Sequence, residues 1–150
     1  MDLILWRHCE AEPGEPDLGR RLTSKGVKQA ERMAAWLDAH LPDTCRILVS
    51  PADRAQQTAL ALKRKFKTVE DLAPGASAAS VLSAANWPES REPVLVVGHQ
   101  PTLGAVASFL LSGEEAYWSV RKGAVWWLSD RAKDGGSAIV VKVVLGPDFV

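Results

Sequence analysis

Three short, almost purely apolar runs constrain this chain more than any other feature: residues 2–6 (DLILW), 45–49 (CRILV) and 93–97 (PVLVV). Runs of that length without alternation suit strands buried on both faces, as in a parallel sheet covered by helices. The segments between them carry the helix period. Val27, Ala30, Met33, Ala34, Leu37 and Leu41 recur at spacings of three and four. They predict an amphipathic helix that Thr23 or Ser24 caps and Pro42 ends. Ser50-Pro51 predicts the start of a second helix, with Pro in its first turn and Ala55, Ala59 and Leu62 on its inner face. A weaker strand is expected near Thr68-Val69, a short Ala-rich helix over 76–87 and another helix over about 102–111.

The last third changes character. Residues 123–129 (GAVWWLS) and 138–145 (AIVVKVVL) read as the two strands of an antiparallel hairpin, with Asp134-Gly135-Gly136 supplying the turn. The predicted architecture is α/β in three layers: a mainly parallel central sheet with an antiparallel edge strand, and helices on both faces. The 150 residues suit one domain.

Charge and cysteine usage narrow the function classes. Eighteen Lys and Arg balance eighteen Asp and Glu. That neutrality argues against nucleic acid as a partner, because such domains usually carry a basic excess. Cys9 and Cys45 are too few for a disulfide scaffold, and Cys45, before an apolar run, is expected to be a buried thiol. The N-terminal MDLILWRHCEAEP lacks a basic stretch and turns polar too early for a signal peptide. No apolar run approaches the ~20 residues of a membrane helix. No membrane partner is expected, and the expected compartment is the cytosol.

The residues that carry chemistry stand at strand ends. The first run enters Arg7-His8, the second Ser50-Pro51-Ala52-Asp53-Arg54, and the third Gly98-His99. In an open parallel sheet those ends share one edge, where ligands bind. Arg7, His8, Arg54 and His99 can therefore converge. Two guanidinium forks match phosphate oxygens, one histidine adds a donor, and a second, held neutral, can attack phosphorus. The third histidine, His40, falls at a helix end, where the dipole favours a cation and no function is required. Six tryptophans read as core or rim packing, with Trp126 and Trp127 expected to face opposite sides of a strand.

At this level the chain resembles the histidine phosphatase (phosphoglycerate-mutase-like) superfamily. Leu5-Trp6-Arg7-His8-Cys9-Glu10 is similar to its Arg-His-Gly signature, and Arg21-Leu22-Thr23-Ser24-Lys25-Gly26 to the Leu-Thr-x-x-Gly segment opening its first helix. The stretch from Val49 to Thr58 resembles its Ser-Ser/Pro-x-x-Arg-x-x-Gln-Thr segment, and Val97-Gly98-His99-Gln100-Pro101 its second histidine motif. The short length and His-x-Pro form look most like the SixA-type phosphohistidine phosphatases. The resemblance implies a central mixed sheet flanked by helices, with His8 as a nucleophile that becomes phosphorylated. It also implies that Arg7, Arg54 and His99 hold the phosphoryl oxygens, and that water completes hydrolysis without metal or organic cofactor. The implied substrate is a phosphorylated protein of the histidine phosphotransfer type or a small phosphoester.

Two departures from the family pattern stand out. Cys9 replaces the usual Gly after the first histidine, crowding the nucleophile and adding an oxidisable thiol; a small filler or a regulatory group are the two readings. The general acid is unassigned, with Glu70, Asp71 and Asp17 as candidates. About 35 residues from Thr58 to Pro93 leave no room for a helical cap, and an open site suits a protein-borne phosphate. Three alternatives stay open. One is a phosphate-recognising module without turnover. Another is a metallohydrolase with His8, Glu10 and His99 as ligands, which the arginines oppose. The third is a mutase, for which the chain is short.

Overall fold

The computed structural model describes residues 1–132 and 138–150. Six strands form one sheet in the order β3-β2-β4-β1-β5-β6. They are β1 (Asp2–Arg7), β2 (Arg46–Val49), β3 (Lys67–Thr68), β4 (Val94–Gly98), β5 (Val125–Asp130) and β6 (Ile139–Leu145). The first four run parallel; β5 pairs antiparallel with β1, and β6 antiparallel with β5. The antiparallel edge is thus two strands wide, formed by the runs expected at 123–129 and 138–145. The hairpin turn expected at Asp134-Gly135-Gly136 lies outside the described residues.

The apolar runs are buried on both faces because each face has its own helices. Leu3, Leu5, Leu48, Val94 and Val96 pack with Val81 of α3 (Ala78–Ala84) and with Leu103 and Val106 of α4 (Thr102–Ser112). The alternate residues Ile4, Trp6, Ile47, Val49, Leu95 and Val97 pack with Met33, Ala34 and Leu37 of α1 (Ser24–His40) and Ala55 and Ala59 of α2 (Asp53–Leu60). The period-two alternation of a strand therefore feeds two cores. Trp126 and Trp127 split in the same way, the first half-buried with the α3/α4 core and the second buried in the α1/α2 core.

Several local expectations are corrected. Val27, placed on the inner stripe of α1, is 40% exposed. Its place is taken by Gly26, which is buried because the helix start presses against the chain at Glu10. Pro51 precedes α2 instead of sitting in its first turn, since Ala52 is the N-cap. Cys45 is half-buried and lies just outside β2. Thr23, not Ser24, caps α1, its hydroxyl accepting from Gly26 N at 2.9 Å. His40 donates from Nδ1 to Trp36 O at 2.7 Å and stacks on the Trp36 ring, a helix-end contact with no link to the sheet edge.

Candidate active site

Register brings the sequence-separated residues together. Arg7 lies opposite Gly98, so His8 and His99 are the next residues on neighbouring strands, and His8 N donates to Gly98 O at 3.1 Å. Val49 lies opposite Val97, and Ser50 N donates to Val97 O at 3.0 Å. The central β4 thus has His8 on one side and Ser50 on the other. The His8 and His99 rings sit 5.2 Å apart between centroids. Arg54, in the first turn of α2, is buried beside them.

A backbone hydrogen bond fixes the tautomer of His8. His8 Nδ1 lies 2.8 Å from Cys9 O. A carbonyl only accepts, so Nδ1 carries the hydrogen and Nε2 keeps a free lone pair. His99 Nε2 lies 2.6 Å from Ser50 Oγ, which accepts from Ala52 N at 3.2 Å. The Ser50 hydroxyl can donate to Nε2 or accept from it; in the arrangement where it donates, the His99 hydrogen sits on Nδ1. Ser50 was legible in the sequence only as part of a motif. Its position immediately after β2 is what makes it the residue that orients His99.

Burial holds His8 at a pKa of about 4, assisted by the charges of Arg54, Arg7 and Arg20 and opposed by the Cys9 carbonyl. Burial likewise takes His99 to about 3, with His8 and Arg54 acting in the same direction and Asp17 against it. Both rings are therefore neutral near pH 7. The sign for stability follows: the unfolded chain takes up protons near pH 6.5 and the fold does not, so stability is lost as pH falls from about 6.5 toward 4. On the order of 3 kcal/mol per histidine is at stake. The expected result is a melting temperature that drops between pH 6.5 and 4, with a shallower drop in His8→Ala. An equal drop in that variant would contradict the assignment.

The arginines are half used. Arg7 Nη1 donates to Val120 O at 3.0 Å. Arg54 donates from Nη1 to Asp17 O at 2.8 Å and from Nη2 to Asp17 Oδ2 at 3.2 Å. Among the described residues, the buried side-chain nitrogens and oxygens without a partner are Arg7 Nε, Arg54 Nε and His99 Nδ1. An unpaired buried donor costs roughly 1–3 kcal/mol, so the two arginine Nε–H groups beside the unpartnered His99 Nδ1 point to an acceptor-rich ligand. A phosphoryl group offers three such oxygens.

The acid candidates separate. Asp17 also accepts from Arg20 Nη1 at 3.1 Å, and Arg20 and Arg54 keep its carboxyl below the usual carboxylate range. It is an anchor for Arg54. Glu70 and Asp71 are exposed on the short turn Glu70–Leu72 that follows β3, on the same sheet edge. Glu10 turns away from His8, its Oε2 accepting from Thr23 Oγ1 at 2.8 Å. Among the described residues no three His, Cys, Asp or Glu side chains form a ligand cluster, and His8, Glu10 and His99 do not converge.

Cys9 points out of the site. Its side chain is buried with Leu22 and Ala30, and its backbone N donates to Thr58 Oγ1 at 3.1 Å. Burial pushes the thiol up to about 12. That opposes oxidation, which acts on the thiolate, and leaves the filler role.

Comparison with known proteins places the chain among relatives of known family. Residues 3–75 match the model of the histidine phosphatase superfamily (branch 1). The SixA homolog of Haemophilus influenzae, a phosphohistidine phosphatase, is 36% identical over 73% of this chain and 77% of its own. The phosphohistidine phosphatase SixA of Escherichia coli is 31% identical over 76% of each chain. The crystal structure of the SixA protein of Agrobacterium tumefaciens superposes with a TM-score of 0.79, 25% identity and 97% coverage of both chains.

Proposed function

The chain belongs to the histidine phosphatase superfamily, and on that premise we propose that it hydrolyses protein phosphohistidine in the manner of the SixA-type branch. The observation that carries the reading is the pairing of an unprotonated His8 Nε2 with three unpartnered buried nitrogens, the donors Arg7 Nε and Arg54 Nε and the ring atom His99 Nδ1. In this scheme Nε2 attacks phosphorus in line, the bond to the leaving nitrogen breaks, and its electron pair departs with the leaving imidazole. The donors stabilise the charge on the equatorial oxygens. Water then attacks the phosphoryl group on His8, releasing inorganic phosphate and restoring the ring. No step draws on a metal or cofactor.

The weak acid inventory favours phosphohistidine over an alkyl ester. An imidazole leaves neutral when its other nitrogen carries a proton, whereas an alkoxide needs a proton from the enzyme. Asp17 is held ionised, and Glu70 and Asp71 are solvent-exposed. Asp17→Asn is accordingly expected to cost less than about tenfold on both substrate types, because the change only loosens Arg54. A loss confined to esters would instead make Asp17 the acid.

The working compartment under this reading is the cytosol, and the partner is a phosphorylated protein. No described helix is long and apolar enough to cross a membrane. The test is incubation with a labelled phosphohistidine protein and with p-nitrophenyl phosphate, with and without chelator. Turnover in EDTA with an acid-labile phosphoenzyme supports the proposal. Binding without turnover would favour the recognition module, and chelator sensitivity a metal.

A further inference from the structure

A cleft of about 600 Å³ opens beside the phosphate site and shares Arg7 with it. A phosphoryl group needs a small fraction of that space. Lys25, Arg121 and Lys122 stand on its walls, all exposed, and none has a salt-bridge partner among the described residues. Glu10 and Asp148 are the acids lining it. Four cations against two anions make a basic patch on a chain whose formal charge is zero. Trp126, Val144 and Phe149 add apolar surface, and the last two are 52% and 84% exposed.

The turn that carries Arg121 and Lys122 is pinned to the backbone of the nucleophile. Ala124 N donates to Arg121 O at 2.9 Å, closing a tight turn, and Gly123 N lies 3.1 Å from both Arg7 O and His8 O. Val120, just before the turn, accepts from Arg7 Nη1. Gly123 holds a φ of +75°, and a Cβ there would come within 2.9 Å of Pro147 Cγ and 3.2 Å of Cys9 Sγ. The turn that displays Arg121 and Lys122 is therefore fixed by the backbone of His8 itself.

We infer that this cleft is the docking surface for a carboxylate-bearing, partly apolar face of the phosphorylated protein, beside the histidine that is emptied. The inference rests on the phosphohistidine reading above and goes beyond it, naming what the substrate protein presents. A free phosphoester engages the shared Arg7 and leaves Lys25, Arg121 and Lys122 untouched. A protein with acidic residues around its phosphohistidine pairs with Lys25, Arg121 and Lys122 while its apolar side chains cover Trp126 and Phe149. Charges at such a rim act mainly on encounter rate and register.

The test compares wild type, R121E/K122E and the charge-preserving R121K/K122R on two substrates: a phosphohistidine phosphotransfer protein with an acidic surface, and p-nitrophenyl phosphate. The expected result for the reversal is a fall of about tenfold or more in kcat/KM on the protein. Its kcat/KM on p-nitrophenyl phosphate stays within about twofold, and R121K/K122R keeps both activities. The wild-type rate on the protein should fall with added salt more steeply than that of the reversed variant. Unchanged protein turnover in R121E/K122E, or equal losses on both substrates, overturns the inference. So does a wild-type dimer that the reversal dissociates, since the cleft would then be a self-association surface. If wild type empties p-nitrophenyl phosphate but not the phosphohistidine protein, it is the substrate reading that fails.

Discussion

His8→Ala is expected to lower kcat by about four orders of magnitude or more while leaving phosphate affinity within about threefold. The split follows from the hydrogen bonds. The phosphate donors Arg7 Nε, Arg54 Nε and His99 Nδ1 are positioned by Val120 O, Asp17 and Ser50, none of which depends on the His8 ring. The nucleophilic lone pair belongs to His8 alone, because its Nδ1 is committed to Cys9 O and Nε2 is left bare. His99 is not placed to substitute, because its Nε2 is engaged by Ser50 Oγ at 2.6 Å. His99→Ala should behave differently, still forming the acid-labile phosphoenzyme but about a hundredfold to a thousandfold more slowly, as expected for loss of one transition-state donor. Rapid-quench measurement of phosphoenzyme, with phosphate binding by calorimetry, checks both. More than about 1% residual turnover in His8→Ala would remove His8 from the nucleophile's role.

What the sequence made legible was whatever repeats with a short period or sits at a strand end. The runs at 2–6, 45–49 and 93–97 became β1, β2 and β4, and their ends carried Arg7-His8, Ser50 and His99 to one edge, because parallel strands share a direction. What stayed hidden was decided by contacts between distant segments. Val27 fits the stripe of α1 by period but is exposed, since the helix axis is set by the close approach of Gly26 to Glu10. The roles of Asp17 and Arg20 could not be read either. They depend on a loop folding back so that Asp17 meets Arg54 across 37 positions. The histidine ring contacts were equally out of reach, as each is made to one oxygen, Cys9 O or Ser50 Oγ, whose placement follows from the fold.

Gly26→Ala sets two effects of opposite sign against each other, and their sizes decide the outcome. By helix propensity the change stabilises α1 by about 1 kcal/mol. By packing it cannot be accommodated: a Cβ at position 26 would fall within the van der Waals envelope of the Glu10 carbonyl oxygen and 3.0 Å from the Glu10 carbonyl carbon. The neighbour is backbone and is held from several sides. Thr23 N donates to Glu10 O at 3.0 Å, Glu10 N donates to Gln29 Oε1 at 3.1 Å, and Cys9 N donates to Thr58 Oγ1. Relief requires α1 to move off the strand end, breaking these bonds and opening the Cys9, Leu22 and Ala30 cluster. Overpacking against fixed backbone costs about 3 kcal/mol or more, so destabilisation wins by about 2 kcal/mol net, a fall of roughly 4–8 °C in Tm. Because Glu10 lies two residues from His8, the displacement reaches the Nδ1–Cys9 O hydrogen bond. Activity at a temperature where the variant remains folded should therefore also fall, by about tenfold. Thermal unfolding followed by circular dichroism checks the first effect, and p-nitrophenyl phosphate turnover the second. A Gly26→Ala protein as stable as wild type would mean that α1 does not press on the backbone at Glu10, and that the glycine of the Leu-Thr-x-x-Gly segment serves some purpose other than this close approach.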